Sequence, residues 1–452
     1  MREECGVFGV HSSSTNVAHT TFLGLLALQH RGQESAGIAT TDGTQIYRRA
    51  QLGLVSQVFS EANLNDLPGF AAIGHTRYST SGASADIHNV GPFLDSKRAL
   101  AVSHNGNLTN TQTLRTMLHA VGEHFSGTTD SEVLTRLIAA SPGISLTEKI
   151  VSAMKQMLGA YSLVVLTPSG LTAVRDPLGI RPLCLGRLAD GWVVASESCA
   201  LDIVGATFER HIEPGEILHI DAHGLTSHFT NQQTDRHATC LFEYIYFSRP
   251  ESILHTKRVY AIRQSMGEEL AIEHPAEGAD IVAAVPDSAR PAALGYARKS
   301  GIPYEEALVK NKYIGRTFIQ PNQESRDKNV SLKFSAVPEI VSGKRIVIVD
   351  DTIVRGTTGK PVIQLLRDAG AKEIHLRIHA PPILWPCFFG VDLASKQELI
   401  ASQYSLSEIR AYLGADSLGY LSLPGLLKAI NQPGNGFCTG CLTGNYPIPI
   451  NT

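Results

Sequence analysis

Residues 346–358, IVIVDDTIVRGTT, constrain what this chain can fold into more than any other stretch. Ile346, Val347, Ile348 and Val349 make an unbroken apolar run, the pattern of a buried strand. The run stops at two adjacent carboxylates, Asp350 and Asp351. A short loop with hydroxyls and glycine follows (Thr352, Gly356, Thr357, Thr358) and leads into an apolar-periodic segment after Lys360. A strand that ends in acids and opens through an amide-rich loop into a helix suits a phosphorylated sugar. The loop N–H groups and the helix N-terminus face the phosphate, while the acids accept from ribose hydroxyls or hold a metal ion. A lone acidic pair would read as a solvated turn, but an acidic pair followed at once by TIVRGTT does not.

The surroundings of this run set the class of the C-terminal half. DIVAAVP (280–286), PAALGYARKSG (291–301), RIVIVD (345–350), KPVIQLLRDAG (360–370) and EIHLRIHAPP (373–382) alternate strand and helix patterns. Such alternation predicts βαβ units and a parallel sheet. Ligands bind such sheets at the carboxyl ends of the strands, where VPDS (285–288) and VDDT (349–352) both fall. The first half differs. AAIGHTRYST (71–80), ALAVSHNGNL (99–108), YSLVVLTPSGLTAVRD (161–176) and WVVASES (192–198) read as turn-bounded strands, and residues 17–30 and 131–140 show helical spacing. That mixture predicts an α+β layered domain. The polar stretch 230–239, TNQQTDRHAT, marks the expected boundary, giving domains at 5–235 and 236–452.

Composition excludes several alternatives. At 452 residues the chain is too long for one ordinary core. Apolar content of 43% with 18% charged residues describes a globular protein. A net charge of −3 gives no reason to expect nucleic acid or an anionic membrane as partner. No apolar run approaches the roughly 20 residues that span a bilayer. The start, MREECGVFGV, lacks a signal-like apolar region, so a cytoplasmic location is expected. Seven scattered cysteines fit reduced thiols, some used as ligands, better than a disulfide framework.

Cys5 opens the run CGVFGV. As a small buried residue it would need no further account. The alternative is that MREE (residues 1–4) is removed, making Cys5 the N-terminus. Its thiol would then be a nucleophile, with its own α-amine, of reference pKa near 8, as the base. QHRGQESAG (29–37), HTRYST (75–80), SHNGNL (103–108) and TTDSEV (128–133) follow in order. Together with Cys5 these resemble the glutamine amidotransferase domain of the N-terminal-nucleophile class. In that reading Arg77 holds the glutamine α-carboxylate by a bidentate contact. Asp130 pairs with the α-ammonium, and Asn105 with the Gly106 amide forms an oxyanion hole. Asn105–Gly106 alone would read as a hairpin turn, and His104 is left as structural.

The loop 350–358 resembles the phosphoribosyl-pyrophosphate (PRPP) loop of the phosphoribosyltransferases. The resemblance assigns PRPP binding to Asp350, Asp351, Thr352, Arg355, Gly356, Thr357 and Thr358. ALVKNKYIGRTFIQP (307–321) combines Lys310, Lys312 and Arg316 with few acids, as a lid over pyrophosphate would; Lys333 is a further cation candidate. A Mg²⁺ ion on Asp350, Asp351 and the Ser288 hydroxyl fits the sparse protein ligation usual for that metal.

Cys438 and Cys441 form a C-x-x-C near the C-terminus, with Cys240 and Cys387 far away in sequence. Spacing alone leaves redox chemistry, zinc and other metals open. The surroundings, CLFEYIYFSRPES (240–252), PPILWPCFFGVD (381–392) and CTGCLTGNYP (438–447), resemble the iron–sulfur branch of the glutamine PRPP amidotransferases. That implies a 4Fe–4S cluster on the four cysteines, and Glu3–Glu4 match the branch's short acidic propeptide. Cys184 and Cys199 lie outside these motifs and are expected in the core.

The resemblance to the amidophosphoribosyltransferase family covers essentially residues 3–450. It implies an αββα glutaminase domain followed by a type I phosphoribosyltransferase domain. It also implies conversion of PRPP and glutamine to phosphoribosylamine, glutamate and pyrophosphate, the first committed step of purine biosynthesis. Ammonia would pass through the protein interior between the sites. Purine nucleotides as feedback inhibitors and a homotetramer are implied as well. Leu178 in DPLGIRPL and the four-residue propeptide depart from the usual pattern. A non-catalytic PRPP sensor would not need Cys5, Arg77, Asn105 and Asp130. A different amidotransferase of the same nucleophile class would lack DDTIVRGTT.

Overall fold

A computed structural model describes residues 5–13, 16–78, 86–230, 236–311, 333–393, 395–431 and 436–450. Alternation in the first half folds into two antiparallel sheets lying face to face. One has seven strands in the order Thr207–His211, Cys184–Leu188, Gly191–Ala195, Gly6–Ser12, Ala71–Arg77, Ser35–Thr41, Ile46–Leu52. The other has six, in the order Gly224–Phe229, Glu216–Asp221, Gly170–Arg175, Gly159–Thr167, Leu100–Leu108, Phe93–Asp95. Val7, Ile73, Val164, Leu171 and Val194 fill the space between them.

A helix layer covers each outer face, which is why the central strand Gly6–Ser12 is buried along its whole length. On the first sheet, Leu25 and Leu28 pack with Phe8 and Val10. The helix there, Val17–Ala27, starts where the Asn16 side chain accepts from the His19 amide (3.1 Å). On the second sheet, Leu134, Leu137 and Ile138 of helix Asp130–Ala140 pack with Leu163 and Val165. The layers run αββα, as expected from the sequence.

The second half contains a four-stranded parallel sheet in the order Ile281–Ala284, Arg345–Asp350, Glu373–Ile378, Ser417–Tyr420. The first three strands sit where the apolar runs predict. The fourth reads SLGY, whose serine and glycine carry little strand signal. Helices Val259–Glu273, Arg290–Ser300, Gly359–Asp368 and Leu423–Ile430 contribute to the same core. Two of them touch backbone to backbone: a Cβ on Gly267 would lie 1.8 Å from the Ala292 carbonyl oxygen. No helix among the described residues is long and apolar enough to cross a membrane.

Between the last strand of the second sheet and helix Val259–Glu273 runs a connecting segment that contributes to the C-terminal core. Its Thr239–Cys240 pairs in parallel with Phe437–Cys438, placing Cys240 opposite Cys438. Leu241, Phe242, Tyr244 and Ile245 are fully buried there.

Candidate active sites

Cys5 immediately precedes the strand Gly6–Ser12, which pairs Gly6 with Thr76 and Val7 with His75. Its thiol donates to the Tyr78 carbonyl at 3.6 Å. Arg77, at the end of the neighbouring strand, is only 4% exposed. Backbone packing fixes its place: Glu34 N–H donates to the Arg77 carbonyl, and a Cβ on Gly32 would come within 2.6 Å of the Arg77 nitrogen.

His75 Nε2 donates to the His104 carbonyl (3.0 Å), joining this strand to Leu100–Leu108. Asn105 follows His104. It is 1% exposed, and neither its amide oxygen nor its amide nitrogen has a hydrogen-bond partner among the described residues. A buried orphan amide costs free energy unless something fills the role of its partner. Gly106 has φ +148 and passes close to the next strand; a Cβ there would stand 2.0 Å from the Ala160 carbonyl oxygen. Asn105 and Gly106 therefore lie within a strand, not in a hairpin turn.

Asp130 opens the helix Asp130–Ala140, capped by the Thr129 side chain. Its Oδ2 accepts from the Leu108 amide (3.1 Å) and lies 3.8 Å from His104 Nδ1. His104 also bonds to the Ser131 hydroxyl at 3.0 Å. Burial holds His104 below the usual imidazole range despite Asp130, and burial, with Arg77 and His104 nearby, pushes His75 down to about 3. Both rings are thereby held toward the neutral form inside the domain.

At the second site, Asp350 ends its strand and Asp351 begins the loop. Asp351 accepts from the Ser288 hydroxyl (2.5 Å) and the Thr352 hydroxyl (2.7 Å), while its amide donates to Asp350 Oδ1 (2.9 Å). Burial and the adjacent Asp351 carboxylate push Asp350 well above the usual carboxylate range. Two crowded acids of this kind suit a divalent cation. Gly356 takes φ +71, and Thr357 and Thr358 are exposed. Thr358 stands at the N-cap of helix Gly359–Asp368 without a side-chain cap bond, so the first-turn amides face the loop without a capping side chain. Arg355 pairs with Glu398 (2.6 Å) rather than with the acids. Lys310 reaches Asp287 (2.7 Å), next to Ser288. The Lys333 carbonyl accepts from the Asn311 amide. Lys312 and Arg316 lie outside the described residues, as do Met1–Glu4.

The cysteines separate as expected. Cys184 and Cys199 are core residues, and burial drives both thiols far up. The other four come together from three distant segments. Cys240 faces Cys438, and Leu384 and Trp385, just before Cys387, donate their amides to the Cys441 carbonyl. Burial raises the Cys441 thiol well above its usual range, and Cys387, Cys438 and Cys240 raise it further. Burial and Cys387 push Cys438 up to about 12. Thiols that oppose one another's ionisation are the donor set that a positively charged metal centre relieves. Among the described residues, no group of three or more His, Cys, Asp or Glu side chains is arranged to hold a metal ion as it stands.

Known proteins show the same two-part organisation. A glutamine amidotransferase domain family matches residues 75–202, and a phosphoribosyl transferase domain family matches residues 255–379. The amidophosphoribosyltransferase of Synechocystis is 48% identical over 99% of this chain and 92% of its own. That of Methanothermobacter thermautotrophicus is 47% identical over 100% and 96%. The chain belongs to the amidophosphoribosyltransferase family. A solved family member, the glutamine PRPP amidotransferase of B. subtilis complexed with ADP and GMP, superposes with TM-score 0.92 at 44% identity. That match covers 99% of this chain and 98% of the other.

Sequence motifs missed the polar seam behind the amidophosphoribosyltransferase sites. Arg31, Arg181, Glu197 and Glu243 are at most 1% exposed and pair with one another. Burial alone would raise the Glu243 carboxyl, but Arg31 and Arg181 hold it below the usual range. All four lie in segments quoted for other reasons, Arg31 in QHRGQ, Arg181 in DPLGIRPL, Glu197 in WVVASES and Glu243 in CLFEY, and nothing in those segments links them.

Proposed function

We propose that this chain releases ammonia from glutamine at Cys5 and adds it to PRPP at the Asp350–Asp351 loop. The products are glutamate, 5-phosphoribosylamine and pyrophosphate, at the first committed step of purine biosynthesis. The observation that carries the reading is the orphan amide of Asn105 beside Gly106. It supplies a buried donor with no hydrogen-bond partner among the described residues, on a strand tied through His75 to the neighbour of the strand that follows Cys5. Family membership and the two matched domains support the reaction type.

In this scheme, removal of Met1–Glu4 frees the Cys5 α-amine, which takes the thiol proton as sulfur adds to the glutamine amide carbon. Asn105 Nδ2 and the Gly106 amide hold the developing oxyanion, each worth about 3–4 kcal/mol. Arg77 and Asp130 hold the substrate α-carboxylate and α-ammonium. Collapse expels ammonia and leaves a glutamyl thioester, which water cleaves to glutamate. Ammonia reaches the second site through the protein interior. There it attacks the anomeric carbon of PRPP and displaces pyrophosphate. Asp350 and Asp351 accept from ribose hydroxyls. The loop amides of 352–358 and the uncapped helix start bind the 5-phosphate. Lys312, Arg316 and Lys333 would supply positive charge for the leaving group, and Arg355 would join them by giving up Glu398.

Asp350, Asp351 and Ser288 would hold Mg²⁺, which when bound neutralises pyrophosphate charge. Cys240, Cys387, Cys438 and Cys441 would hold a 4Fe–4S cluster, whose part is to tie distant segments together. We place the domain boundary near residue 235 and the enzyme in the cytoplasm, as a homotetramer inhibited by purine nucleotides. The solved relative complexed with ADP and GMP supports nucleotide binding in the family. Glutamine-dependent release of pyrophosphate from PRPP tests the proposal; glutamine hydrolysis without PRPP consumption would refute it.

A further inference from the structure

The two halves meet directly behind the oxyanion element. Asn107 Nδ2, two residues after Asn105, donates to the Phe388 carbonyl (2.9 Å). Arg181 donates to the Phe389 carbonyl through both Nε (3.0 Å) and Nη2 (2.6 Å). Gly390, at φ +109, lies so close that a Cβ on it would stand 3.2 Å from the Gly106 carbonyl carbon and 3.1 Å from Arg181 Nη2. The other amino group of Arg181 lies 3.6 Å from Glu243, with which Arg31 also pairs. Thus the turn 388–390 of the phosphoribosyl half is pressed against Gly106 of the glutamine half, with a fully buried guanidinium as the clamp.

We infer that Arg181 is a positioning residue for glutamine hydrolysis, holding the Phe388–Gly390 turn against the Asn105–Gly106 strand so that the oxyanion donors keep their aim. This rests on the glutaminase reading above. Burying a guanidinium costs several kcal/mol before its pairing is counted, and an apolar residue of similar volume would often serve packing as well or better. What an apolar side chain cannot do is fix one carbonyl at two points in a plane. Gly106 has no side chain to anchor it, so where its amide points depends on the backbone and side chains packed around it, Ala160 on one side and the 388–390 turn on the other. A displacement of about 1 Å in such a donor costs roughly a hundredfold in rate.

Arg181→Met in the full-length chain tests this. The expected result is a loss of kcat for glutamine-dependent turnover of about ten- to a hundredfold, with KM for glutamine nearly unchanged. Turnover with supplied ammonia should stay at the level of the unsubstituted chain, and Arg181→Lys should recover part of the kcat. Asn107→Ala removes one bond to the same turn without touching a charge. It should give a smaller kcat loss of the same kind, and it carries the test if Arg181→Met does not fold. Equal loss of both activities, a change in KM alone, or unaltered kcat in Asn107→Ala would overturn the assignment. Lack of glutamine-dependent activity in the unsubstituted chain would instead overturn the function on which it rests.

Discussion

The His75 ring donates to the His104 carbonyl at 3.0 Å, so a single buried bond fastens the strand beside Cys5's to the strand that carries Asn105. Donation through Nε2 leaves Nδ1 as a lone pair, and Nδ1 is buried without a hydrogen-bond partner among the described residues. A second proton has no place to go, consistent with a pKa pushed down to about 3 by burial and the neighbouring Arg77 and His104.

That has a consequence for stability. A histidine with a depressed folded pKa stays neutral in the fold while the unfolded chain takes up a proton below about pH 6.5. Stability is therefore retained above that value and falls as pH drops toward 3, by about 1.4 kcal/mol per pH unit for each such ring. Denaturant midpoints measured between about pH 6.5 and 4 should decline, and His75→Asn should flatten the decline by one ring's share. Identical slopes in the two proteins would show that His75 is protonated in the folded state.

Cys5→Ala should abolish glutamine use and leave ammonia-dependent formation of phosphoribosylamine intact. The variant is best made in a chain that starts at position 5, so that blocked processing at the altered position does not confound the result. Mature active protein should weigh less by the mass of MREE, and full activity with Met1–Glu4 still attached would rule out the α-amine as base.

Asp351→Asn should behave differently. Asp351 gathers the Ser288 and Thr352 hydroxyls and adjoins Asp350, so its loss damages the acceptor site whichever nitrogen source is supplied. Turnover with glutamine and with ammonia should fall together, on the order of a hundredfold. Survival of the ammonia reaction would remove the acidic pair from the PRPP site.

Cys240, Cys387, Cys438 and Cys441 join segments far apart in sequence. If they hold a 4Fe–4S cluster, anaerobically purified protein should be brown and contain iron with acid-labile sulfide. Removing the cluster should lower the unfolding temperature more than a single core truncation does. Stoichiometric zinc without sulfide would refute the cluster.

Much of this was legible in the chain because it is local. The buried run 346–349 ends in its acids where the strand ends, and QHRGQ, HTRYST, SHNGNL and TTDSEV mark turns, strand ends and a helix start whose chemistry sits within a few residues. The seam was not legible. Arg31 and Glu243, or Arg181 and Phe389, are neighbours only after two sheets and a parallel core have formed, and no spacing rule reaches across that separation. The strand Ser417–Tyr420 escaped for another reason: its place in the sheet comes from pairing with Glu373–Ile378, not from the propensity of SLGY.

The buried charges at that seam bear on whether the halves can be traded. A cut within residues 231–239 looks convenient, and each side carries a complete sheet. Yet such a cut would leave Arg31 and Arg181 on one fragment and Glu243 with the Phe389 carbonyl on the other. Breaking a buried pair by removing one partner costs about 3–5 kcal/mol. A glutaminase half grafted onto a foreign acceptor domain would therefore have to bring the 240–252 segment and the 387–390 turn with it. The chain can be spliced only along its polar seam, not along its linker.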